Sequence, residues 1–457
     1  MRSYGNELSV GYFSQGGSAG IGRREFLKAA AGGAVLAVAS PWSASWANAG
    51  VSGLVRQYDA SVPNAHARVV FRLIESTPGF TPPVASRLLA YFGVALYESL
   101  VPGMVGYRSL HGLLPGFPMV MTTPRSGLHW PTVANHALGG IVSALLPQAS
   151  PGLGAVDALV NEIDRGHSIP APLRRRSVER GATVAKAVRA WAADDGGHEG
   201  HLRNFPADYQ TPAGPGLWEP TPPGFQPIPL QPFWGDNRPF ADEGCAAPPP
   251  PTYSNLQGSD FFAYAAEVYD TSLTLTPEQK AIAVFWADDP GTLTPPGHSV
   301  SMLRQILEAE NSSLQTAAEA YMRVGCAVAD AFIQCWRTKY QWNLVRPVTF
   351  IRANIDPEWR SLVTTPPFPE YSSGHSTQSG AWAEVMTSMF GDGYPFTDHT
   401  HDNLVLPPRS FTSFQHAAGE AAVSRLYGGI HYRFGNDNGL AAGACLGKAA
   451  AQLPLRS

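Results

Sequence analysis

Cysteine is scarce: four residues in a chain of 457, too few to hold a protein of this length together as a disulfide scaffold. Cys326 and Cys335 share one stretch of helical pattern. Their separation puts them about 13 Å apart along a helix axis, out of bonding range. Cys245 and Cys445 are left over, and the sequence neither requires nor excludes a bond between them. No cysteine or histidine spacing has the form of a zinc finger. Charge is sparse as well. Acidic and basic residues make up 15% of the chain and the formal net charge is −4. No basic face is available for nucleic acid. Strand-like alternation is scarce and no internal repeat is visible. Beyond the first fifty residues no apolar run approaches the roughly 20 residues that a membrane span needs.

Glycine (46) and proline (41) are plentiful, and apolar residues remain abundant enough for a large core. This is a folded chain with long ordered loops rather than a disordered one. Gly22-Arg-Arg-Glu-Phe-Leu-Lys28, the small and apolar run Ala29 to Ala39, and Ala47-Asn48-Ala49 together have the form of a twin-arginine export signal with its cleavage site. Residues 1–49 are therefore set apart as a leader, and the mature chain is expected in the periplasm or outside the cell. Residues 50–457 form one helical domain. Helical periodicity runs through 64–76, 83–99, 131–146, 173–193, 258–269, 277–287, 299–310, 313–338, 375–390, 412–427 and 437–451. A connection rich in proline, glycine and aromatics occupies 205–252. It either separates two helical halves or crosses one body. The fold class is all-α.

Three separated segments share one chemical theme. Lys339-Tyr-Gln-Trp-Asn-Leu-Val-Arg346-Pro347 ends a long helix and carries two cations, one a point charge and one a planar fork. Pro369-Glu-Tyr-Ser-Ser373-Gly374-His375 opens a helix. Its free backbone N–H groups and positive dipole end suit an anion, and His375 stands beside them as an acid–base group. Ser424-Arg425-Leu-Tyr-Gly-Gly-Ile-His431 adds a third cation and a second histidine. A lone histidine near glycine is usually structural and a lone lysine is usually solvated. Three such segments together predict one pocket for a tetrahedral oxyanion, vanadate or phosphate.

The pattern Lys-x6-Arg-Pro, then Ser-Gly-His, then Ser-Arg-x5-His resembles the vanadium-dependent haloperoxidases and the related type-2 phosphatidic acid phosphatases. Ser372 stands where that pattern has proline. Phe285-Trp-Ala-Asp-Asp289-Pro-Gly is similar to the haloperoxidase branch. The resemblance implies helical bundles and a vanadate cofactor, whose site phosphate also occupies. His431 would be the ligand to vanadium. Lys339, Arg346, Arg425, Ser373 and Gly374 would hold the oxygens, and His375 would be the catalytic acid–base. Asp289 would pair with Arg425, while Trp336 and Phe368 would line the halide side. The partners implied are hydrogen peroxide, halide and an organic acceptor left open, and members of the family assemble as homo-oligomers.

The alternative is an exported acid phosphatase working through a phosphohistidine at His431. The phosphatase form of the third motif carries aspartate four residues after the histidine; Gly435 stands there, with Asp437 as a conceivable substitute. A phosphohistidine would then lack its orienting carboxylate. Asp398-His399-Thr-His401-Asp402 reads as a polar loop in preference to a metal site. His298 reads as a loop histidine and His416 has no evident partner. Ser373 lacks the context of a hydrolase nucleophile.

Overall fold

The computed structural model describes residues 54–121, 127–147, 150, 152–241 and 244–456. The leader at 1–49 lies outside the described residues. The expectation of an all-α fold holds: thirteen α-helices and one two-stranded hairpin are present among the described residues. The first group comprises α1 (Ser61–Ser76), α2 (Pro82–Leu100), α3 (Trp130–Leu145), α4 (Leu153–Gly166) and α5 (Ala171–Ala193). After the long connection come α6 (Asp260–Leu273), α7 (Pro277–Phe285), α8 (Thr294–Ala309), α9 (Leu314–Trp342), α10 (Pro347–Asn354), α11 (Gly374–Phe390), α12 (Phe414–Tyr427) and α13 (Arg433–Gln452). Strand β1 (Phe396–Asp398) pairs antiparallel with β2 (Arg409–Phe411).

Helix α9 joins the two groups. Ser313 caps its start by accepting from Thr316 N–H, and its middle is buried on every side, so one face packs on α2 and another on α11 and α13. A single apolar cluster runs from Val70 and Leu96 in the first group to Phe332 and Trp382 in the second. The 205–252 connection runs between two groups of helices that share this cluster. It is tied down as it goes: Asp330 accepts from Phe240 N–H and Ala241 N–H at 2.7 Å each, and Cys245 is bonded to Cys445 on α13. Cys326 and Cys335 are free and buried. Residues Pro82–Gly103 are long and apolar enough to cross a membrane, contrary to expectation, but this stretch lies wholly inside the core. Its hydropathy reflects burial on all faces rather than contact with lipid.

Helices α11 and α13 pack backbone to backbone. Glycine recurs every fourth residue down one face of α13. A Cβ at Gly439, Gly443 or Gly447 would fall 3.0, 2.0 and 2.4 Å from the carbonyl oxygens of Ser373, Thr377 and Ala381. This ladder positions the N-terminus of α11, where Ser373 and Gly374 sit.

Candidate active site

The three motifs meet at one end of α9. Lys339, in its last turn, is completely buried and donates through Nζ to the carbonyls of Pro369, Glu370 and Ser372 at 2.9, 2.9 and 2.6 Å. One cation thus fixes the path of the second motif. Burial pulls its pKa down to about 7. Arg346 caps α10 and is also fully buried. It donates to the carbonyls of Phe368 and Ile430 at 2.8 Å each, and its Nη1 lies 3.1 Å from His431 Nε2. Its Nη2 has no hydrogen-bond partner among the described residues. Burial lowers its pKa to about 10. Arg425, in the last turn of α12, donates from Nη1 to the Trp286 carbonyl.

Ser373 is the N-cap of α11, accepting from Ser376 N–H. Where a Cβ would project from Gly374, nothing is nearer than Trp336 Cζ3 at 3.6 Å. The backbone there is open to a cavity of about 310 Å³, lined also by His375, Arg425, His431, Asp288 and Asp289. Trp336 and Phe368 form its apolar wall, with ring centres 5.1 Å apart. Trp336 is held by donating Nε1–H to the Leu230 carbonyl at 3.1 Å, a contact from the long connection. The turn between α1 and α2, Thr77 to Pro82, closes the opposite side.

His431 has a partner that the sequence reading missed. Its Nδ1 lies 2.7 Å from Glu370 Oε1, which also accepts from Tyr432 N–H at 3.2 Å. Gly435 explains the exchange. A Cβ there would fall 2.3 Å from Glu370 Oε1, so the acid of the second motif occupies the room that the missing side chain leaves. The expectation that a phosphohistidine would lack its orienter is thus corrected. The substitute is Glu370 and not Asp437, which is exposed. Gly435 was the available signal, because a lost carboxylate at one position points to another acid nearby. Burial, followed by the charges of Arg346, Lys339 and Arg425, holds the His431 pKa well below the usual imidazole value. The ring is therefore neutral, and with the proton on Nδ1 facing the carboxylate, Nε2 is the accepting nitrogen, turned toward Arg346 Nη1.

His375 faces the cavity, with Nε2 3.5 Å from Asp288 Oδ2. Burial, then the charge of Arg425, lowers its pKa to about 4. Asp289, singled out from the sequence, lines the cavity, and Arg425 offsets part of the rise in its pKa that burial causes. Its neighbour Asp288 is the one that reaches the histidines. Asp288 turns through the left-handed region (φ 48°) and sits beside His298 and His401 as well as His375. His298 is therefore no loop histidine. It lies on α8, stacked on Trp286 at 4.6 Å, between Asp288 and Asp398. Burial opposes its charge, but the two carboxylates outweigh burial and lift its pKa to about 10. The 398–402 segment divides: His399 and Asp402 form an exposed pair, whereas Asp398 and His401 are buried. His416 is exposed near the start of α12.

These residues suit a tetrahedral oxyanion. Arg425, the Gly374 backbone at the α11 N-terminus and the neutral His431 imidazole line one cavity, with Arg346, whose Nη2 lacks a partner among the described residues, against His431 and Lys339 buried behind the second motif.

The family described as the VCPO second helical-bundle domain matches residues 319–456. Vanadium chloroperoxidase of Curvularia inaequalis is 25% identical over 221 residues, which is 35% of this chain and 36% of that relative. The aligned part thus spans little more than a third of the curated relative's length. A solved structure described as the first bacterial vanadium-dependent iodoperoxidase is 34% identical, covers 87% of this chain and 96% of its own, and superposes with a TM-score of 0.79. A holo-form bacterial vanadium-dependent chloroperoxidase, 18% identical over 83% of this chain and 93% of its own, shares the fold with a TM-score of 0.64. The chain belongs to the vanadium-dependent haloperoxidase family.

Proposed function

We propose that this protein oxidises halide with hydrogen peroxide to hypohalous acid at a vanadate bound through His431. The observation that carries this reading is the neutral His431 imidazole, oriented by Glu370, facing a pocket with three buried cations. Bound vanadate supplies Lewis-acid activation of peroxide without changing its oxidation state. The protein does the rest. Lys339, Arg346 and Arg425 would offset the charge of the oxyanion, and Ser373 Oγ and the Gly374 N–H would be the donors that hold it. His375, with Asp288 beside Nε2, takes and returns a proton. Asp289 tempers the charge of Arg425. Trp336 and Phe368 keep water from the halide side. Relatives are named for chloride and for iodide, and iodide, the most readily oxidised halide, is the most permissive assay.

One observation favours a second reading. Glu370 gives His431 the orienting carboxylate that a phosphohistidine needs, so an acid phosphatase in the same pocket is the alternative. The experiment is peroxide-dependent halogenation of a phenol dye by vanadate-free protein, with and without orthovanadate, beside hydrolysis of p-nitrophenyl phosphate. Halogenation that needs vanadate and vanishes in His431→Ala supports the haloperoxidase. Phosphate release inhibited by vanadate, without halogenation, makes the protein a phosphatase. We also propose export through the 1–49 leader, a reading supported by the Cys245–Cys445 bond, which suits an oxidising compartment.

A further inference from the structure

Behind His375 lies a second cluster, of which the proposed chemistry uses only Asp288. Asp288 comes from the loop after α7, His298 from the start of α8 and His401 from the loop after β1. All three are buried, and one nitrogen or oxygen of each lies within 4.8 Å of the others. His298 Nδ1 is 3.0 Å and His401 Nε2 is 3.2 Å from the same oxygen, Asp288 Oδ1.

His401 is the anomaly. It is 2% exposed, yet neither of its ring nitrogens makes a hydrogen bond among the described residues. A buried polar side chain ordinarily has at least one such partner. Its Nε2 stands close to the carboxylate without being aligned for donation. His375 Nε2, 3.5 Å from Asp288 Oδ2, repeats that relation. Nitrogens of three histidines thus crowd one buried carboxylate.

We propose that Asp288, His298 and His401 bind a divalent transition-metal ion of the zinc class, at a site that adjoins the oxyanion pocket through Asp288. Two imidazoles and a carboxylate are a donor set that zinc takes, with bonds of about 2.0–2.2 Å and hence ligand atoms about 3–3.5 Å apart. Asp398 supplies the brace. Its Oδ2, 2.6 Å from His298 Nε2, accepts the proton there and turns Nδ1 toward Asp288. This is the carboxylate–histidine–metal arrangement. Without an ion, the Nδ1–H of His298 donates to Asp288 while Nε2 faces Asp398. Ion binding forms the metal–Nδ1 bond, breaks that N–H bond and releases the proton to solvent. Charge then balances as one dication against Asp288 and Asp398. Asp288, Thr294 and His375 line the cavity, so the cluster borders it through Asp288. The site would bind the loop after α7 to α8 and to the end of β1, holding the Asp288 carboxylate still beside His375.

The test uses Co2+ as the probe, added to full-length protein dialysed free of metal and vanadate. Visible ligand-field bands should saturate at one Co2+ per chain and be displaced by Zn2+. Binding should persist in His431→Ala, which alters only the oxyanion pocket. It should weaken at least tenfold in His401→Ala and about 10- to 100-fold in Asp398→Asn. Absence of bands in the wild type, or unchanged affinity in a folded His401→Ala protein, overturns the proposal. Should the variants fail to fold, anomalous diffraction from wild-type crystals soaked in Co2+ decides instead. A peak between the three side chains sustains the site, and its absence ends it.

Discussion

Glu370 carries two loads at once. One carboxylate oxygen accepts from His431 and from the Tyr432 amide, while the other is buried with no partner among the described residues. Burial accordingly lifts its pKa to about 7, with Lys339 and Arg346 pulling the other way. Removing that charge should loosen the imidazole that binds the oxyanion. Glu370→Gln is expected to weaken vanadate affinity about 10- to 100-fold, measured by equilibrium dialysis. Gly435→Asp alone should be harmful, since its Cβ collides with Glu370. Combined with Glu370→Ala, which clears that space, Gly435→Asp should bind vanadate better than Glu370→Ala alone, because a carboxylate then returns from α13. A double variant no better than Glu370→Ala would show that the two positions do not exchange roles. Lys339 gives the pH dependence. In the empty pocket burial holds its pKa near 7, whereas a bound anion favours the charged form. Affinity is therefore complete below pH 7. It falls as pH rises above 7, by up to about tenfold per unit. Molybdate, a tetrahedral dianion that does not titrate in this window, is the probe. A flat profile between pH 6 and 9 would refute the assignment.

The α11–α13 pair shows how an element carries chemistry without touching it. Each interior glycine of α13 gives up about 1 kcal/mol of helix propensity relative to alanine, and close approach to the α11 carbonyls offsets the loss. Gly443→Ala should lower stability by about 1–3 kcal/mol through overpacking against Thr377, seen as an earlier urea midpoint. It should also weaken vanadate binding, because Ser373 and Gly374 ride on α11. Loss of stability with unchanged binding would separate the ladder from the site. Most helices were readable in the sequence because their apolar residues recur with helical period over three turns or more. Helix α4 was missed although it has such a period, since it buries only Val156 and Ile163. Helix α10 has eight residues and each strand three, too short for a period to register. The cations and histidines of the three motifs come together in the folded chain. Glu370 and His401 escaped because their partners lie 61 and 113 positions away, and His298 because one of its two partners lies 100 positions away and the other, Asp288, stands on a turn the sequence does not define. Asp288 and Asp289 could not be told apart on a loop whose turn was unknown.

At the scale of the molecule, the long connection behaves as structure rather than as linker. It is bonded to α13 at Cys445, anchored on Asp330 and brings Leu230 to the cavity wall. The disulfide closes a separation of 200 residues. Its reduction, or Cys445→Ser, should cost about 2–4 kcal/mol and shift urea unfolding to lower concentration. An unchanged midpoint would mean that packing alone holds the connection. The cavity itself is a composite. Its floor of cations and histidines comes from the last third of the chain, and its opposite wall is the short turn between α1 and α2. A change in that turn would reshape what is admitted while leaving the grip on the oxyanion in place, so clientele and reagent can be altered independently of each other.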